Sequence, residues 1–197
     1  MNDKMNPVEE DLLRVQEFMN KHFHIKAGYL GNFVSLEKGN VHNMLRPLLV
    51  LLSAGMFGKI SNKVISLAAV VQYIYVAFCV HKGVFEEKDL EYNVVESVDS
   101  KEGFQYPVLA GDYLCGCFFS SLCKAGMAEY LRPLSEILCE INQGSIIKLT
   151  NEHVVANASR DLEVARKESA ALLAGCCVLS GTLMGAEKDV YKRQYLN

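Results

Sequence analysis

The chain has 197 residues, half of them apolar and 22% charged, with a formal net charge of −3. That is long enough for one domain with a buried core, and the composition excludes wholesale disorder. The small negative charge gives no electrostatic case for nucleic acid. Seven cysteines, at 79, 115, 117, 123, 139, 176 and 177, form no paired ligand array. An odd number in apolar helical runs reads as core filling in a reducing, cytoplasmic compartment. The polar, acidic start of the chain does not resemble a secretory signal.

Few prolines and long runs of helical period predict an all-α fold. Val8, Leu12, Val15 and Met19 keep helical spacing, with Pro7 in the first turn of that helix. A second helix starts at Arg46-Pro47 and runs to Gly58, leaving Arg46 at its N-terminal edge. Ser61-Asn62 offers an N-cap for the stretch around which the chain is organised, Val64 to Val80. Those residues are apolar nearly all round, as a buried helix requires. They fall just short of the roughly 20 needed to span a bilayer, so a membrane span is not expected.

The central helix ends in charge, at His81-Lys82-Gly83-Val84-Phe85-Glu86-Glu87-Lys88-Asp89. The acids from Glu86 to Glu102 read as a solvated loop or as a cation-binding lip. A helix from Pro107 to about Gly126 follows, then one from Arg132 to Leu149 with Pro133 in its first turn. Thr150-Asn151 is a plausible cap for the last helix, which continues through Arg160 and Lys167 to about Gly185. The fold expected is an antiparallel bundle of six or seven helices spanning residues 1–188. The stretch Asp189 to Gln194 reads like the translation of a transposon end used in library preparation, so 189–197 are expected to be a non-native tail and the C-terminal helices of the bundle to be missing.

Three segments in register resemble the trans-prenyl diphosphate synthases, the polyprenyl synthetases. Leu45-Arg46-Pro47-Leu48-Leu49 is similar to the end of that family's G-G-K-R-x-R-P-L-L helix. The central helix is similar to the one that delivers the first aspartate-rich motif. Val108-Leu109-Ala110-Gly111-Asp112-Tyr113-Leu114 resembles L-A-G-D-Y-L. The resemblance implies the isoprenoid synthase bundle, and a Mg²⁺-dependent transfer of prenyl groups between diphosphates. In that chemistry carboxylates hold the metal ions that neutralise a leaving diphosphate, and basic side chains hold the second diphosphate.

The departures fall on the chemistry. Where the family has D-D-x-x-D, this chain reads Lys82-Gly83-Val84-Phe85-Glu86, so only Glu86 remains a carboxylate. The following R-R-G becomes Glu91-Tyr92-Asn93, and the lysine and arginine of G-G-K-R fall at Asn43 and Met44. A family histidine or glutamine falls at Tyr75. The lysine-threonine pair of a later helix falls at Glu168-Ser169, with Lys167 one place out of register. Arg46 and Lys167 are left as diphosphate-binding candidates, Arg46 alternatively as a helix-end residue paired with an acid. Glu86, with Glu87 and Asp89, is the weak candidate for a displaced metal site. Lys82 would repel Mg²⁺ and could itself fill the place of a cation. Ala77 and Phe78 would floor the chain-length tunnel. Asp112 reads as structural, and His81 as a satisfied polar residue at a helix end.

The resemblance therefore implies the weakly or non-catalytic subunit of a heteromeric synthase, its partner a competent homologue that supplies the Mg²⁺ site. Alternatives are a stand-alone prenyltransferase with a second aspartate-rich motif further on, or a non-enzymatic isoprenoid-binding protein. Contact with the partner, or with a second copy, is expected through 107–126 and the next helix. Cys115, Phe118, Phe119, Leu122 and Cys123 would form the apolar face.

Overall fold

The computed structural model describes residues 6–22, 44–82, 105–151 and 157–186, with the side chains of 22 and 105–107 left aside. Among the described residues every regular element is a helix. In chain order these are α1 (Pro7–His22), α2 (Leu45–Gly55), α3 (Asn62–Lys82), α4 (Gln105–Lys124), a short 3₁₀ turn (Ala128–Tyr130) and α5 (Leu131–Thr150). α6 (Ala158–Ala165) runs through a π-helical segment, Arg166–Ala170, into α7 (Ala171–Leu183).

α3 is the axis. It packs against α1, α2, α4 and α7, and from Val64 to Val80 each residue is buried except Tyr75 and Phe78. α3 is the one helix among the described residues long and apolar enough to cross a membrane, yet 83% of its most apolar window is covered by its neighbours. That burial accounts for its apolar circumference. Ser61 starts it, its Oγ accepting from the Val64 N–H at 3.4 Å. Its core partners include Val15 and Met19 of α1, Val50 and Ala54 of α2, Leu114 and Phe118 of α4, and Leu172 and Cys176 of α7. The Tyr73 hydroxyl sits inside that core and donates to the Met19 carbonyl at 3.3 Å.

The terminators follow ordinary rules. Gly126 at φ +60° and Gly185 at φ +76° take the left-handed conformation that closes α4 and α7. Behind them Met127 N–H reaches Leu122 O, and Ala186 N–H reaches Gly181 O.

Two expectations need correction. Thr150-Asn151 does not cap the last helix. Asn151 Nδ2 donates back to Ile147 O at 2.7 Å and finishes α5, while Asn157 caps α6, its Oδ1 accepting from Ser159 N–H and Arg160 N–H. Asparagine serves either end of a helix, so the identity of the residue alone does not choose. The apolar face expected on α4 is also divided. Phe118 and Leu122 are spent on the protein's own core, at 1% and 2% exposure. Leu109, Phe119 and Cys123 remain outward.

Candidate functional site

The two breaks in the burial of α3 define the site. Tyr75, Phe78 and Lys82 are spaced i, i+3 and i+7, so they share one helical row, and all three are half-buried. This row faces Arg46 from α2 and Glu168 from the π segment.

At the inner end, the Arg46 guanidinium lies 3.5 Å from the centre of the Tyr75 ring, within cation–π range. Its Nε is buried with no hydrogen-bond partner, and no acid pairs with Arg46, among the described residues. Arg46 is thus a shielded cation held by an aromatic ring. Burial pushes the Tyr75 hydroxyl up, and Cys79 adds to this while Arg46 pulls the other way. Burial raises Cys79 as well, and pushes Cys176 up to about 12, so both thiols stay protonated and inert at neutral pH.

At the outer end, Lys82 Nζ donates to Glu168 Oε1 at 2.6 Å. Ser145 Oγ of α5 donates to the same oxygen at 2.8 Å. The Phe78 ring lies 4.8 Å from Nζ. The side chains of Lys82 and Glu168 are only 25% and 13% exposed. Burial works against ionisation of Glu168, but the hydrogen bonds from Lys82 and Ser145, with the charges of Lys82 and Lys148, outweigh it and leave its pKa below the usual 4.5.

The local sequence builds this contact. A π segment places an extra residue in the helical turn and is common at functional positions. Here it turns two consecutive side chains to α5 on either side of Gly144. Lys167 Nζ donates to Gln143 Oε1 at 3.1 Å, and Glu168 meets Ser145. Gly144 is required by the close approach, since a Cβ there would lie 2.9 Å from both Glu168 Cγ and Lys167 Cβ and 3.2 Å from the Glu168 amide nitrogen.

A second junction ties α3 to α4. His81 Nε2 lies 3.3 Å from Val108 O and 3.5 Å from Asp112 Oδ1. Its ring rests on Gly111, where a Cβ would sit 2.0 Å from Nε2. Asp112 and His81 thus meet across a helix contact.

Of the sequence candidates, Arg46 and Lys82 sit at opposite ends of the α3 row, and Lys167 is turned to Gln143. Phe78 is in the row. Ala77 is 3% exposed and lies on the row that leads to His81 and α4. Gly83 and Glu86, with Glu87 and Asp89, lie outside the described residues. Glu168 is the partner that the sequence did not identify; its only signal was an acid standing at a position where the resemblance expects a lysine.

Divalent cations fit this geometry poorly. The position facing Glu168 is an ammonium, which cannot ligate a metal, and no cluster of three metal-binding side chains occurs among the described residues.

Among the described residues, all helical in their regular elements, the bundle closes around one buried helix whose open row carries Arg46 at one end and the Lys82–Glu168 pair at the other. The family is established by comparison: residues 40–196 match the Polyprenyl synthetase model, and the chain belongs to that family. The heptaprenyl diphosphate synthase component 2 of Geobacillus stearothermophilus is 25% identical over 192 residues, covering 95% of this chain and 59% of that protein. A decaprenyl diphosphate synthase from Rhodobacter capsulatus superposes at TM-score 0.78 with 24% identity, covering 94% and 58% of the two chains. A polyprenyl synthase from Caulobacter crescentus, complexed with calcium and isoprenyl diphosphate, superposes at 0.74 with 20% identity over 94% and 60%. The chain therefore spans about three-fifths of the length of these relatives, and the expected isoprenoid synthase fold is the one observed.

The Lys82–Glu168 pair carries a pH signature. Glu168 has a lowered pKa in the folded state, so its stabilisation is complete above the unfolded carboxylate value and disappears as pH falls through the folded one. Thermal melts from pH 7 to pH 3 are expected to show an acid-side loss of stability that Glu168→Gln flattens. Parallel profiles for the two proteins would remove the pair from the account.

Proposed function

We propose that this chain is the weakly or non-catalytic subunit of a heteromeric polyprenyl diphosphate synthase. The observation that carries this reading is Lys82, an ammonium in the place where the family resemblance expects the first metal-binding aspartate, already engaged by Glu168 at 2.6 Å. A synthase needs placed positive charge around a departing diphosphate. Here that position is filled by a side chain and its carboxylate. The numbered component name of the Geobacillus relative supports a multi-subunit enzyme.

In this reading the partner is a competent prenyl synthase homologue in the cytoplasm, which brings the Mg²⁺ site and the prenyl diphosphates. The present chain contributes the bundle wall and the outward face of α4. Arg46, cushioned on Tyr75, is the residue best suited to touch a diphosphate oxygen, and Phe78 the one best suited to touch the prenyl chain. Lys167 is committed to Gln143 and has the weaker claim.

The test is turnover of isopentenyl and allylic diphosphates with Mg²⁺, for the chain alone, for a competent homologue, and for their mixture. The chain alone is expected to turn over weakly or not at all, and the mixture to differ from the homologue in rate or product length. Turnover by the chain alone at a rate comparable to the homologue's would favour a stand-alone prenyltransferase. Binding of a prenyl diphosphate with no effect in the mixture would favour an isoprenoid-binding protein.

A further inference from the structure

Lys82 and Glu168 are 86 residues apart, and their contact crosses the bundle. Three elements meet there: the end of α3, the π segment between α6 and α7, and α5 through Ser145. Both charges are largely withdrawn from water, where single ionised side chains are rarely left without a partner. Glu168 Oε1 accepts from two donors, Lys82 Nζ and Ser145 Oγ. Phe78 covers another side of the ammonium, and Gly144 lets the π segment close onto α5. Two acids facing each other across such a gap would repel unless a divalent cation lay between them.

We infer that the Lys82 ammonium is a built-in cation, which bridges α3 to the π segment and α5 and holds this end of the bundle shut without a metal. The inference deepens the subunit reading and rests on it, because a gap closed by the chain's own charge has no place for a metal–diphosphate complex. It also adds a structural role. The fold at this end is independent of divalent ions.

The experiment measures thermal stability in EDTA and in millimolar Mn²⁺ for wild type, Lys82→Glu, the swapped double variant Lys82→Glu/Glu168→Lys, and Lys82→Glu/Glu168→Gln. Wild type is expected to melt at the same temperature in both buffers. Lys82→Glu should lose about 5 °C or more in EDTA and regain most of it in Mn²⁺, since breaking one side of a shielded pair is costly and two carboxylates can share the ion. The swapped variant should return to within about 2 °C of wild type, with no cation response. Glu168→Gln in the Lys82→Glu background should abolish the response. If Lys82→Glu does not fold in either buffer, recovery by the swap supports the inference and no recovery overturns it. A Lys82→Glu protein as stable as wild type in EDTA, or a wild type that Mn²⁺ stabilises, overturns it as well. These melts require no turnover, so the subunit reading stands or falls separately in the mixing assay.

Discussion

Phe118→Ala is expected to destabilise the protein by about 3–5 kcal/mol, while Phe119→Ala changes its stability by less than about 0.5 kcal/mol. The two rings are neighbours in sequence, with centroids 4.5 Å apart. Their environments differ completely, since Phe118 is 1% exposed and Phe119 is 47% exposed. Phe118 belongs to the same apolar cluster as α3, together with Leu114 and Leu122. Truncating it removes the transfer energy of a ring and leaves a cavity that helices pinned at both ends fill poorly. At about 2–4 °C per kcal/mol for a chain of this size, the loss in Tm is roughly 6–20 °C. Denaturant midpoints for the two variants provide the check, and equal shifts would mean that the face of α4 has been assigned wrongly.

The same pair of substitutions reports on assembly. Leu109, Gly116, Phe119 and Cys123 recur along the exposed row of α4, spaced as a helix presents a stripe to another helix. In the proposed heteromer this row, and not the one containing Phe118, is the face of α4 that would meet the partner. Phe119→Ala should therefore weaken association with a competent homologue in sedimentation while the melt stays unchanged. Weakened association accompanied by an equal loss of stability would mean the ring supports the fold instead.

How much of this was legible in the sequence depends on how local the cause is. α1, α2 and α3 could be read because periodicity, Pro7, Pro47 and Ser61 act within a turn or two of themselves. The burial of Val64 to Val80 could be read because no arrangement of a water-soluble bundle leaves so many apolar residues outside. The facing of α4 was harder. Phe118 and Phe119 are chemically identical, and the choice between them depends on where α3 lies. Lys82 stood out as a cation where the resemblance expects an acid, but its partner did not, because no local rule connects it to Glu168. The π segment was also unreadable, since Arg166–Ala170 contains ordinary helix formers and only the close approach at Gly144 gives that segment a reason. Lys82 and Glu168 form one ion pair in the fold, a cation at 82 matched by an anion at 168.

Gly144 should be sensitive to substitution, because backbone lies close to it, and Gly116 should be tolerant. Both lie inside helices, where replacing glycine by alanine ordinarily stabilises by about 0.5–1 kcal/mol through the unfolded chain. Gly116 has no neighbour within 4 Å of an added Cβ, so Gly116→Ala is expected to show that gain. At Gly144 the added Cβ meets Glu168 Cγ and Lys167 Cβ at 2.9 Å, and the Glu168 amide nitrogen at 3.2 Å. Side chains can swing aside, but a backbone nitrogen moves only if the π segment moves with it. Gly144→Ala should therefore destabilise, and Gly144→Val should cost about 1–3 kcal/mol from overpacking alone. The larger substitution also pushes Glu168 off Ser145 and Lys82, so the acid-side loss of stability should shrink in Gly144→Val as it does in Glu168→Gln. Melts of the two alanine variants at neutral pH, and of Gly144→Val from pH 7 to pH 3, test both claims. If Gly144→Ala proves as benign as Gly116→Ala, α5 has room beside the π segment, and the clamp around Glu168 is looser than the distances imply.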